Sequence, residues 1–157
     1  MALPKGAAVV YRSFGAPDAE AVARRLLAVA RARGLRLLIG QDAALAARIG
    51  ADGIHLPERL ARRAVPLKRA HPDWIVTAAA HSLPAARLVG PDAVVISAAF
   101  PSGSASAGAP LGPIRLAALV RAAGRPAYAL GGVNMETARR LQDAGLVGLA
   151  AVEGLST

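Results

Sequence analysis

Seven short apolar runs alternate with helix-like segments along this chain, and that alternation leaves few folds open. The runs cover 7–11, 35–39, 52–56, 74–77, 93–97, 127–130 and 147–152. Each is apolar at successive positions, as strands covered on both faces are. Between the first two runs Val22, Leu26, Val29 and Ala30 recur at helical spacing, with arginines on the other face. Three segments repeat a pattern: Gly50-Ala-Asp-Gly-Ile, Gly90-Pro-Asp-Ala-Val and Gly145-Leu-Val-Gly-Leu each close a helix and open a strand. The glycine serves as the residue just past the helix end.

Strands alternating with helices predict a parallel sheet. With no Rossmann glycine fingerprint, the repetition favours an α/β, TIM-type (β/α) barrel over an open sheet. A closed barrel has eight such units, and seven strands are visible here. The residues before position 7 are too few for another strand and its helix. The expectation is a single domain over 1–157, a seven-strand barrel with its first βα unit missing. It would stay open between the strands at 7–11 and 147–152. The exposed edges would be covered by a partner chain, as in a homo-oligomer, or by residues encoded upstream.

Helices are expected from Pro17-Asp18 onward, over 42–49, in one or two short pieces over 57–68, from Ser82 as N-cap, over 113–123 and over 135–144. The longest piece without helix or strand runs from 100 to 112, small, polar and Ser/Gly-rich. Loops of that length in compact domains are commonly lids or binding loops.

Composition narrows the function. The net charge of +9 could suit nucleic acid, but the arginines are scattered over helical segments and aromatic residues make up only 3% of the chain. A solvated basic surface that favours a phosphorylated small molecule is the expectation, without nucleic acid as partner. No apolar run is long enough for a membrane span. No cysteine is present, which fits a cytoplasmic protein.

In a barrel the functional groups sit at the strand C-terminal ends. Those ends hold Arg12, Gly40-Gln41, His55, His81, the 100–112 loop, Gly131-Gly132 and Val152-Glu153. His81 suits proton transfer near neutral pH, or only a hydrogen bond to the next strand. His55 follows an apolar strand and reads as packed into the barrel mouth, and His71 as a solvated turn residue. The three histidines are too dispersed for zinc. Asp52 and Asp92, at strand starts, read as turn residues. Gly131-Gly132, after a strand and before a helix, suits either a tight turn or a close approach of backbone N–H groups to a phosphate. Gly132→Asp is expected to abolish phosphate-ester binding with the fold mostly intact.

At these positions the sequence resembles the thiamine phosphate synthase family, including its thiazole tautomerase branch. Gly50-Ala-Asp-Gly-Ile-His-Leu56 resembles G-A-D-G-V-H-L, and Ala80-His81-Ser82 resembles S-x-H. Phe100-Pro-Ser-Gly-Ser104 resembles F-x-T-x-T, Ala129-Leu-Gly-Gly-Val133 resembles A-I-G-G-I, and Gly148-Leu-Ala-Ala-Val152 resembles G-V-A-V-V. Arg12 fits the arginine of Q-L-R-E-K. The resemblance implies a TIM barrel in which a thiazole phosphate nitrogen attacks an aminopyrimidine after loss of Mg²⁺-bound diphosphate. In the tautomerase branch it implies a proton shift on a thiazole carboxylate phosphate through His81. A barrel that binds such a phosphate without turnover stays open as a third reading. By resemblance Gly131, Gly132, Ala151 and Val152 would hold the thiazole phosphate, Ser102 and Ser104 would hold phosphate from the loop, and Arg12 would meet an anionic group.

The chain departs from the synthase pattern at the metal. Gly40-Gln41 stands where synthases carry Asn-Asp, and Leu56 leads to Pro57-Glu58 in a segment one residue shorter. Ala105 stands where the loop lysine belongs, Phe14 replaces the lysine of R-E-K, and Glu153 replaces a small hydroxyl residue. A synthase would need Mg²⁺, with Asp42 and Glu58 the candidate carboxylates; otherwise no cofactor is expected.

Overall fold

The computed structural model describes residues 3–103 and 108–152. Seven parallel strands form one sheet in strictly sequential order. The elements are β1 (Ala8–Tyr11), α1 (Ala19–Ala32), β2 (Arg36–Gly40), α2 (Ala43–Ile49), β3 (Gly53–Leu56), a 3-10 helix (Glu58–Arg63), α3 (Ala64–Ala70), β4 (Ile75–Ala80) and α4 (Leu83–Ala86). Then follow β5 (Ala93–Ser97), α5 (Gly112–Ala123), β6 (Ala127–Leu130), α6 (Met135–Arg139) and β7 (Gly148–Leu149).

Sequential order has a steric consequence. Right-handed crossovers that always step the same way lay every helix on one face, so the sheet curls its other face inward. The packing follows that division. Leu37, Ile39, Ile54, Leu56, Val76 and Ala78 pack with buried residues of α1 and α2. Val94, Ile96, Ala127 and Ala129 pack with Leu116, Leu119, Val120 and Ala123 of α5. Side chains alternate across a strand, so Leu38, His55, Thr77, Val95 and Tyr128 occupy the inner face.

The fold is a partial barrel. β1 and β7 are its two edges, and no pairing joins them among the described residues. Burial agrees with the pairing. β2 has three consecutive fully buried residues, whereas β1 alternates exposed and half-buried ones. Val10 on β1 is 40% exposed and Leu149 on β7 is 47% exposed. No described helix is long and apolar enough to cross a membrane.

Three element boundaries differ from the sequence expectation by three residues or more. The helix expected over 135–144 ends at Arg139, because Arg140, Leu141 and Ala144 bond back three residues, in tighter turns. Leu141 and Ala144 are still buried. The strand expected over 147–152 keeps two ladder residues, extended by Ala150 N–H donating to Ala129 O at 2.8 Å. The fourth strand runs on to Ala80, because Ala78, Ala79 and Ala80 pair with β5; pairing outweighs the weak β preference of alanine.

Asp52 and Asp92 do more than turn the chain. Asp52 Oδ2 accepts from Leu37 N at 2.8 Å, and Asp92 Oδ2 accepts from Val76 N at 2.8 Å. In two of the three repeats the aspartate therefore ties a new strand to the start of the preceding one. Arg36 and Lys68 complete the pairs with these carboxylates at 2.9 and 3.2 Å.

Candidate active site

Parallel strands bring all their C-terminal ends to one rim. Arg12 leaves β1 there, and its guanidinium lies over the Phe14 ring at 4.5 Å. Gly40 ends β2, and a Cβ built on it would come 2.8 Å from Arg12 Cγ. The glycine thus lets the Arg12 stem cross the end of the neighbouring strand. Gln41 follows with φ 56°, in the left-handed region. Its backbone N–H donates to His55 O at 2.9 Å, and its Oε1 accepts from Arg59 Nη2 at 2.8 Å.

His55 sits at the end of β3 with Nδ1 2.9 Å from Thr77 Oγ1, in the inner face. Burial, reinforced by the Arg12 charge, lowers its pKa to about 4. A neutral imidazole fixed on a buried threonine is a packing element, as its place after an apolar run suggests. A pH dependence of stability follows. The folded pKa lies below the ordinary value of 6.5, so between these values the unfolded chain takes up the proton first. Stability falls as pH drops from about 6.5 to about 4, by up to about 3 kcal/mol for this one group. Urea denaturation across that range should show the loss, and His55→Gln should flatten it; an equal slope in the variant would contradict the assignment.

His81 ends the β4 run and is exposed. Its Nδ1 lies 2.9 Å from Ser97 O and 3.2 Å from Ser97 Oγ, at the end of β5. A carbonyl oxygen only accepts, so Nδ1 carries a proton, and Nε2 is the ring atom placed to take or give one. The backbone under the ring is held as well. Glu58 Oε2 accepts from His81 N at 2.6 Å and Glu58 Oε1 from Ser82 Oγ at 3.0 Å. Ser82 Oγ in turn accepts from Ala85 N at 3.3 Å, the N-cap that Ser-x-Pro predicted.

The metal donors do not assemble. Asp42 is the N-cap of α2, its Oδ1 accepting from Leu45 N at 2.8 Å. Both oxygens of Glu58 are engaged on the β4–α4 turn, and the Gln41 oxygen already holds a guanidinium. No group of three or more His, Cys, Asp or Glu suited to a metal occurs among the described residues. Asp42 Oδ1 and both Glu58 oxygens are thus engaged in hydrogen bonds with which Mg²⁺ binding would compete.

Gly131 and Gly132 have φ 95° and 62°, and backbone does approach them closely. That backbone is the chain's own. A Cβ on Gly131 would come 3.0 Å from Ala98 Cβ, and one on Gly132 would overlap the Pro101 carbonyl oxygen and reach 2.8 Å from Phe100 Cβ. Gly132→Asp would therefore disturb the 98–101 segment directly, and the expectation of an intact fold in that variant does not hold. The N-terminus of α6 is also occupied: Asn134 Oδ1 accepts from Glu136 N at 3.0 Å and from Thr137 N at 2.9 Å. Ser102 is half-buried in the loop; Ser104, Ala105 and Glu153 lie outside the described residues. Ala151 is half-buried and Val152 is 80% exposed, just past β7.

The structure thus joins Arg12, Gln41 and Arg59 at one sector of the rim and Glu58, His81 and Ser97 at the next. Arg59, Ser97 and the clamp role of Glu58 were missed from sequence. Arg59 carried a signal, since it follows a strand end within a basic cluster. The Glu58 clamp had none, because no spacing rule links residues 23 apart.

The family profile described as thiamine monophosphate synthase matches residues 1–155. A thiamine-phosphate synthase of Methylobacillus flagellatus is 33% identical over 156 residues, covering 96% of this chain and 74% of that one. One of Chromobacterium violaceum is 33% identical over 137 residues, covering 85% and 66%. The chain thus spans 66% and 74% of the length of these two relatives. Among solved structures, thiamine phosphate pyrophosphorylase from Pyrococcus furiosus superposes with a TM-score of 0.77 at 24% identity, over 92% of this chain and 71% of that one. A 3-hexulose-6-phosphate synthase superposes with a TM-score of 0.63 at 18% identity, over 92% and 77%. These two likenesses concern the fold.

Proposed function

Because the chain belongs to the thiamine monophosphate synthase family, we propose that it works in thiamine biosynthesis on a thiazole phosphate held at its rim. The reaction is the one its relatives are named for. The thiazole nitrogen lone pair forms the new C–N bond to the aminopyrimidine methylene carbon, and the C–O bond to diphosphate breaks with its electron pair leaving on the diphosphate. Gly131, Gly132, Ala151 and Val152 offer backbone to the thiazole phosphate, with Ser102 and Ser104 from the loop. Arg12 meets the anionic end of the substrate. The observation that carries this reading is the charge of the rim. Arg12 and Arg59 form no ion pair among the described residues, while Asp42 caps α2 and Glu58 is drawn onto the β4–α4 turn. Such a rim suits a phosphorylated substrate. Formation of thiamine phosphate from the two phosphorylated precursors tests it.

A second reading, proton transfer on a thiazole carboxylate phosphate, is favoured by the fixed Nδ1–H of His81, which leaves Nε2 to take and return the proton. Both readings suit a cytoplasmic protein without disulfides.

We further propose that the β1 and β7 edges are covered in the working protein by a second copy, so that the protein is a homo-oligomer. Unpaired strand edges flanked by exposed Val10, Val147 and Leu149 support this. Light scattering after size exclusion should give a mass above that of one 15.9 kDa chain. A monomer that stays soluble at high concentration would contradict it.

A further inference from the structure

We infer that Glu58 is a positioning residue for the His81 ring, reaching across from the end of β3 to fix which ring nitrogen is left free. The inference deepens the proton-transfer reading above and rests on it for the reaction itself.

Glu58 has nearer partners in sequence than the ones it takes. It opens the 3-10 helix after Pro57, whose φ of -64° sets the exit from β3. Arg59 and Arg62 lie on the same short helix, yet Glu58 forms no ion pair with either among the described residues. Its carboxylate goes instead to two donors of the next βα unit. Oε2 accepts from His81 N at 2.6 Å and Oε1 from Ser82 Oγ at 3.0 Å. Hydrogen bonds to an ionised acceptor are stronger than those between neutral groups.

The contacts matter because His81 is thereby held at two points. Its backbone N–H is tied to Glu58, and its ring Nδ1 lies 2.9 Å from Ser97 O at the end of β5. Between the two points the side chain turns only about χ1 and χ2. With both ends fixed the ring keeps one orientation, Nδ1 holds its proton on the carbonyl, and Nε2 is left to exchange one with the substrate. Without Glu58 the backbone end is released, and water can satisfy the exposed N–H. A neutral histidine ring that turns freely carries its proton mainly on Nε2, so the accepting atom would be lost. The proton that Nε2 takes from one substrate atom is returned to another from the same nitrogen. Glu58 neither gives nor takes a proton, and its part is orientation alone.

Heteronuclear NMR of the histidine side chains tests this on the full chain without substrate, at about pH 9, where an ordinary histidine is neutral. The His81 signals are assigned by their loss in His81→Ala. The expected result is a parent His81 with its proton on Nδ1, and a Glu58→Ala variant in which the proton has moved mainly to Nε2. His55, whose Nδ1 lies 2.9 Å from Thr77 Oγ1, should not change. Glu58→Gln keeps an acceptor for His81 N and a donor for Ser82 Oγ, and should keep the parental form. Where Glu58→Ala lowers the melting temperature, Glu58→Met, which keeps the stem without the oxygens, gives the same reading. A parent lacking the Nδ1–H form overturns the inference, as does a His81 ring unmoved in the variants without oxygens. An equal change at His55 would also overturn it, since Glu58 would then be a general prop of the rim. In turnover, Glu58→Ala should lower kcat by at least ~10-fold with KM within about twofold, and an unchanged kcat beside an altered ring would overturn the positioning role. A parent without proton-transfer turnover removes the reading of the reaction, while the state of the ring is read independently of it.

Discussion

Alanine at position 53 is expected to prevent the protein from reaching a stable fold. Gly53 opens β3 and pairs with Ile75 of β4. A Cβ there would overlap the Ile75 carbonyl oxygen and lie 2.7 Å from Ile75 N and C. All three are backbone atoms, so no rotamer change relieves the contact. The strands would have to separate at the centre of the sheet, where Ile54 and Val76 are fully buried. Overpacking with some freedom to relax costs ~1–3 kcal/mol. Here the rigid partner takes the expected loss beyond ~4 kcal/mol, a large part of a stability of ~5–15 kcal/mol. Urea denaturation and soluble yield of Gly53→Ala would read it. Gly108→Ala serves as control, since its added Cβ would meet nothing within 4 Å. A Gly53→Ala protein as stable as the control would show that the β3–β4 approach is looser than described.

His81→Ala is expected to lower any proton-transfer activity on a thiazole carboxylate phosphate by ~10²–10⁴-fold, the usual contribution of a positioned acid–base. The fold should survive. The side chain is exposed, and the contact that clamps the turn runs through the His81 backbone N–H to Glu58, which alanine retains. Ser97 Oγ loses one partner at 3.2 Å and can turn to water. The kcat should carry the loss while binding of the phosphorylated substrate stays near the parent. Unchanged turnover would remove His81 from the chemistry and leave it a strand-to-strand hydrogen bond.

The barrel was legible because its signals are local and repeated. Apolar runs separated by helical segments identify buried strands that step around one axis; of the glycines at 50, 90 and 145 expected to close helices, Gly50 does so, whereas α4 and α6 end earlier, at Ala86 and Arg139. Gly50 does adopt the left-handed conformation at the end of α2. The ends of α6 and β7 were not legible. Leu141 and Ala144 keep the helical period of buried positions although the backbone there has tightened, and period reports burial rather than hydrogen-bond type. At the rim, sequence position alone located Arg12, His55 and His81. What those residues touch depends on strand curl. No sequence rule could tell that Glu58 grips the His81 turn or that Arg59 reaches Gln41. The Gly131-Gly132 turn was legible as two alternatives. The structure accounts for both glycines by their contact with residues 98–101, which leaves a phosphate contact to be measured at neighbouring residues.

Purified protein incubated with thiazole phosphate and aminopyrimidine diphosphate tests the central claim most directly, with thiamine phosphate followed by chromatography in parallel Mg²⁺ and EDTA reactions. Product that accumulates with enzyme concentration and falls in an Arg12→Ala variant is the predicted result. No product in either buffer at high enzyme concentration would contradict the assignment of this rim to thiamine phosphate synthesis.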